Sequence, residues 1–155
     1  MMYNGERDLA NVNLTKTNRK MQCMDIRQDI EKFISEKYNV SPEYLWKRYP
    51  GFAVFRHEDN RKWFALTGNI TKDKLGMAST EDVYLINVKI DDLMLRDILL
   101  HQPGYFPGYH MNKGSWITIL LDGTVSFDEV CRMIDTSFEL TASSKKKQKF
   151  RPSKE

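Results

Sequence analysis

Tyr105, Tyr109, His110, Asn112, Lys113 and Trp116 crowd into one stretch, bounded by breaks at Pro103-Gly104 and Pro107-Gly108 and by the apolar run Ile117 to Leu121. They supply aromatic faces, hydrogen-bond donors and a cation, the groups that hold a phosphate backbone and stack on unpaired bases. Upstream, Arg56, Arg61, Lys62 and Trp63 make a second basic-aromatic set at the end of a predicted hairpin. Both sets have blander uses. Tyr and Trp at a strand mouth often close a core with their polar ends wet. Asn112 and Gly114 suit a turn, His110 can satisfy a backbone carbonyl, and Glu58 and Asp59 dilute the charge of a solvated hairpin tip. A small-molecule pocket lined by Tyr105, Tyr109 and Trp116 is a further reading of the same stretch.

Other chemistry finds no support. No Walker loop, GxGxxG, HExxH or nucleophile elbow occurs. His57, His101 and His110 share no metal-ligand spacing, and no serine has an evident base partner. The expectation is a protein that binds and does not catalyse, with no cofactor and no metal. Cys23 and Cys131 form no CxxC pair, which suits free thiols in a reducing cytoplasm. No apolar run reaches the length of a membrane span, and the N-terminus lacks a basic-then-apolar leader pattern. The expected location is therefore cytoplasmic, with no membrane contact.

Several elements must position these side chains. Ile26, Ile30, Phe33, Ile34 and Tyr38 recur at helical spacing over about Asp25 to Tyr38, with Asn39 as the stop. Ser41 to Trp46 reads either as a short helix start with Pro42 at its first position or as a loop that packs Leu45 and Trp46. Phe52 to Arg56 and Lys62 to Thr67 read as a hairpin. Alternation puts Phe52, Val54 and Arg56 on one face, and in the partner sets Lys62, Phe64 and Leu66 against Trp63, Ala65 and Thr67. Thr71 to Asp82 is loop, and Val83 to Val88 is a strand. Asp91 caps a helix over Asp92 to about His101, with Met94, Leu95, Ile98 and Leu99 as its buried stripe. His101 falls at the C-terminus of that helix, a structural place. A strand runs from Trp116 to Leu121. Ser126 and Glu129 then form a capping box, with Val125 and Val130 as its staple, for a helix from Phe127 to about Leu140. Cys131 lies on the inner stripe of that helix.

The chain of 155 residues suits one domain. Residues 1–23 read as a flexible extension of net charge +2, and residues 145–155 as a disordered basic tail with six basic residues against one acidic. What remains, close to residues 24–144, is mildly acidic. Attraction to phosphate must therefore come from a local patch or from the tails. The element order suggests α+β, an antiparallel sheet with helices on one side.

Gly108 to Gly123, together with Tyr49 to His57, Lys62 to Leu66 and the strand-helix unit after Val83, resembles the MmcQ/YjbR family of small bacterial proteins. The resemblance covers about residues 24–144. It implies a two-layer α-β(3)-α-β(2)-α fold similar to type III secretion chaperones, with an extra strand around Gly104 to Tyr109. It also implies DNA binding of a "double-wing" kind, and it brings no catalytic residues. The expected DNA contacts are Arg56, Lys62, Trp63, Tyr109, His110, Asn112, Lys113 and Trp116, with the basic tail adding affinity. The alternative is a chaperone-like module for a protein partner with no nucleic-acid role. Sequence says nothing of oligomeric state.

Overall fold

The computed structural model describes residues 26–149. The expected extension 1–23 and the end of the expected tail lie outside them. Helix α1 spans residues 26–38, and its apolar stripe buries Ile30, Ile34 and Tyr38. Asn39 adopts φ 54°, the left-handed turn that stops the helix. Ser41 to Trp46 forms no helix. Instead Glu43 exchanges two backbone hydrogen bonds of 2.9 Å with Val54 and flanks the sheet.

Strands β1 (Ala53–Arg56), β2 (Trp63–Thr71), β3 (Asp82–Lys89), β4 (Tyr105–Pro107) and β5 (Trp116–Leu120) form one antiparallel sheet in the order β1-β2-β3-β5-β4. A one-turn 3-10 helix, Lys72–Leu75, follows β2 inside the predicted loop. Helices α2 (Leu93–Leu100), α3 (Phe127–Thr141) and α4 (Ser144–Lys149) complete the described chain. The α+β class and the expected strand before Trp116 are both observed.

A bulge changes the expected alternation of β2. Phe55 faces Ala65 while Arg56 faces Trp63, so Phe64 is an extra residue. Phe64 and Ala65 both enter the core against α1 and α3, and Trp63 joins Leu66 on the opposite face. The bulge also parts Phe64 from Lys89, beyond the last β2–β3 pair at Ala65 and Val88. Buried Ser137 of α3 fills that gap. Its hydroxyl donates to the Phe64 carbonyl at 2.6 Å and accepts from the Lys89 N–H at 2.8 Å, pairing two groups that the ladder leaves over.

The main core lies between the sheet and helices α1 and α3, with Phe55, Ile86, Ile117, Ile119 and Ile134 fully enclosed. Each such side chain stabilises the fold by about 1.5–3 kcal/mol through burial. The opposite face carries a smaller cluster, Ile70, Val83, Leu85 and Leu120, covered by Phe52, Leu75, Met77, Phe106 and Tyr109. Those covers come from loops, the 3-10 turn and β4, not from an α-helix.

Three expectations are corrected. The cap of α2 is Asp92, whose carboxylate accepts from the Leu95 N–H at 3.0 Å, rather than Asp91. The predicted buried stripe of α2 is mostly exposed: Met94 is 77% and Ile98 54% accessible, and only Leu99 is buried. The helix is turned so that half-buried Arg96 and Leu100 accompany Leu99 inward, and the Arg96 guanidinium donates to the Lys113 carbonyl. Finally, residues 145–149 of the expected disordered tail lie in helix α4. The box at α3 is half made. Ser126 accepts from the Glu129 N–H at 3.2 Å, but the Glu129 carboxylate takes the Tyr105 hydroxyl at 2.6 Å instead of turning back.

Candidate functional site

The loop 105–116 is held across the sheet by a buried polar network. Thr118 on β5 donates its hydroxyl to the Asn87 side-chain oxygen and accepts the Tyr109 N–H at 2.8 Å. The Asn87 amide donates to the Tyr109 carbonyl at 2.9 Å. Both backbone groups of Tyr109 are thereby paired by residues of the central strands. Gly108 donates to the Trp116 carbonyl at 3.1 Å, and a Cβ there would meet the Trp116 Cβ at 2.8 Å, so a side chain has no room. Asn112 builds the turn that follows, its side chain accepting from Gly114 N–H and its carbonyl from Trp116 N–H. His110 adopts φ 55°, the left-handed region uncommon for non-glycine residues.

The other wall comes from the start of β2 and the segment before β1. Trp46 and Trp63 meet edge to face at 5.8 Å, and Tyr49 and Phe52 do the same at 6.0 Å. Phe52 lies flat on Gly68, where an added Cβ would stand 2.5 Å from the ring. The Tyr49 N–H to Trp46 carbonyl bond of 3.2 Å closes a turn with exposed Lys47 and Arg48 at its tip.

Between the two walls runs a groove of about 580 Å³ on the face away from α1 and α3. Aromatic and apolar side chains dominate it, among them Trp63 and Tyr109. Among the described residues, Lys74 and His110 are the basic groups of its lining, and no carboxylate lines it. Burial holds the Tyr109 phenol above its ordinary value, with Tyr49 and Asp73 adding to the effect, so the hydroxyl is a donor at neutral pH.

The expected contact residues divide. Trp63, Tyr109 and His110 line the groove, and Lys62 is exposed beside Trp63. Arg56 is not free. Glu43 takes its guanidinium at 2.5 and 2.6 Å, and Arg61 adds a looser contact to the same carboxylate at 3.6 Å. This pairing lowers the Glu43 pKa, its hydrogen bond to Arg56 being the largest cause. Asn112 serves its turn, and Lys113 and Trp116 lie further along the loop, where Arg96 of α2 holds the Lys113 carbonyl. Tyr105 points to the helix side of the sheet and bonds Glu129, so Tyr105, Tyr109 and Trp116 do not share one pocket. Trp46, Tyr49, Phe52 and Lys74 were missed. For Trp46 and Tyr49 the available signal was the mixed aromatic and basic run from Tyr44 to Tyr49.

A second cluster sits at the opposite end of the hairpin turn. His57 is fully buried against Phe64 and Phe138, with Nε2 2.8 Å from Thr141 Oγ1 and Nδ1 3.2 Å from Lys146 Nζ. The Thr141 hydroxyl donates to the Ser137 carbonyl at 2.8 Å, so the imidazole carries its proton on Nε2 and accepts from Lys146 at Nδ1. Burial first, then the Lys146 charge, lowers the His57 pKa to about 4. Lys146 also pairs with Asp59 at 3.3 Å, fastening α4 to the hairpin turn. Lys146 of the expected free tail is thus engaged by the fold. Among the described residues no cluster of His, Cys, Asp or Glu is arranged to hold a metal ion, and no helix is long and apolar enough to cross a membrane.

Comparison with known proteins gives the lineage of this arrangement. The YjbR family profile matches residues 35–140. The uncharacterized protein YyaQ of Bacillus subtilis (strain 168) is 39% identical over 115 residues, covering 74% of this chain and 97% of YyaQ. A Pseudomonas syringae protein solved by crystallography superposes with a TM-score of 0.72 at 40% identity, covering 75% of this chain and 98% of its own. A Deinococcus radiodurans crystal structure shares the fold alone, with a TM-score of 0.58 at 20% identity, 79% of this chain and 85% of that one being covered.

Proposed function

The chain belongs to the YjbR family, and from that premise we propose that it is a DNA-binding protein that acts through the groove between the β1–β2 hairpin and the 105–116 loop. One observation carries the reading. Hairpin and loop, two separate basic-aromatic stretches of the sequence, meet across a groove whose lining, among the described residues, has aromatic rings, Lys74 and His110 but no carboxylate. Lys62, Lys47 and Arg48 stand exposed at or next to its walls. Phosphates would be met by these cations, and the acidic balance of the rest of the surface would limit binding elsewhere. The protein acts by holding its ligand, without catalysis, cofactor or metal. It works in the cytoplasm, where the buried free thiol of Cys131 stays reduced.

Fluorescence anisotropy with labelled DNA at low ionic strength tests this. Binding is expected, weakening as salt rises. The Lys62→Ala/Lys74→Ala variant is expected to flatten the salt dependence by a slope of roughly 1.4–1.8, for two phosphate contacts. Absence of any DNA binding at low salt refutes the reading.

The exposed face of α2 favours a second reading, a protein partner. Leu93, Met94, Leu95 and Ile98 are 69%, 77%, 38% and 54% accessible on one short helix. Adjacent apolar exposure of this kind marks interaction surfaces. Loss of partner capture on Met94→Lys, with DNA binding unchanged, would separate the two activities.

A further inference from the structure

We infer that the ligand of the groove is single-stranded DNA, with unpaired bases seated among the aromatic rings and phosphates at the cationic rim. This rests on the DNA-binding reading and narrows it.

Ring geometry is the first support. Three edge-to-face pairs line the groove: Trp46 with Trp63, Tyr49 with Phe52, and Tyr109 with His110, at 83°, 77° and 70° between planes. Rings set on edge against one another do not consume both of their faces in mutual stacking. They leave π surface for a planar guest, and every base presents such a surface once it is unstacked. In a duplex the base faces are already stacked, so these rings would contribute nothing beyond a wet contact.

Size is the second. A groove of about 580 Å³ lies within the roughly 300–1,000 Å³ range of sites that enclose small organic molecules. It admits one or two bases and excludes a double helix. Charge is the third. Among the described residues the lining holds no carboxylate, while Lys74 and His110 lie in it and Lys47 and Arg48 project from the turn between Trp46 and Tyr49. Aromatic floor and cationic edge together are the arrangement that holds a single strand, bases in and backbone out. The walls are built in advance, since Phe52 rests on Gly68 and Tyr109 is held by Thr118 and Asn87.

The experiment compares one mixed-sequence oligonucleotide, its blunt duplex and its ribose counterpart against the full chain, by anisotropy and by intrinsic tryptophan fluorescence. The single strand is expected to bind at least tenfold more tightly than the duplex and to quench the tryptophan emission. Tyr49→Ala is expected to weaken single-strand binding about five- to 150-fold, the range for loss of one base-stacking ring, and to weaken duplex binding by less. Tyr49 is 60% exposed, so its truncation leaves the core intact. Equal or tighter binding of the duplex overturns the inference and leaves the DNA reading standing. Tighter binding of the ribose strand overturns it in favour of RNA. Binding of none of the three overturns both.

Discussion

Thr118→Val tests whether the buried network, and not the loop's own turn, holds the groove wall. Valine keeps the shape of threonine and removes one hydroxyl. That hydroxyl accepts the Tyr109 N–H at 2.8 Å and donates to the Asn87 side-chain oxygen, and Thr118 and Asn87 are both fully buried. Two buried polar groups lose their partner. At about 1–3 kcal/mol for each unsatisfied group, the expected loss is roughly 2–6 kcal/mol, read as a lower urea midpoint at unchanged slope. Asn87→Leu breaks the shared Asn87–Thr118 bond and also strips the Tyr109 carbonyl of its 2.9 Å donor. Since the bond is lost in both single variants, the double variant is expected to fall short of their sum by about 1–3 kcal/mol. Hydrogen exchange at the Tyr109 amide supplies the local readout and should speed up in Thr118→Val. A loss below about 0.5 kcal/mol with Tyr109 exchange unchanged would refute the reasoning, because it would mean that the loop is held by its Asn112 turn alone.

Two further outcomes are expected. His57 takes a proton at about 6.5 when exposed but at about 4 in the fold, so the unfolded chain binds the extra proton between these values. Its contribution is therefore complete above pH 6.5 and declines by about 3 kcal/mol as pH falls toward 4; in His57→Leu, denaturation curves should lack that part of the slope. On α2, Met94→Lys and Ile98→Lys should each leave the melting temperature nearly unchanged, within about 0.5 kcal/mol, whereas Leu99→Ala should cost about 2–5 kcal/mol. A large loss from Met94→Lys would restore the stripe expected from periodicity.

Much of the fold was legible in the residues. The stripe of α1, the inner residues Val130, Cys131, Ile134 and Phe138 of α3, the Ser126 cap and the runs of β1, β3 and β5 follow from local spacing and appear as expected, while Phe127, expected on the α3 stripe, is exposed. Elements whose environment is set at long range were not legible. Periodicity describes an apolar stripe but not what lies opposite it. In α2 the stripe, apart from Leu99, meets no partner among the described residues, and a single bond from Arg96 to the Lys113 carbonyl accompanies the turning of the helix. Likewise Lys146 reads as part of a solvated basic run until the His57 ring and the Asp59 carboxylate stand beside it.

The candidate site divides along the same line. The sequence by itself determined which stretches are rich in rings and cations, because composition is local and needs no partner. Only the tertiary structure decided which of those groups are available. It spends Arg56 on Glu43, turns Tyr105 toward Glu129, and through the Phe64 bulge moves Trp63 to the face where Trp46, Tyr49 and Tyr109 stand. The physical reason is that alternation along a strand carries no memory of an inserted residue. One extra residue reverses every side chain beyond it, and only pairing with the neighbouring strand reveals that it is there.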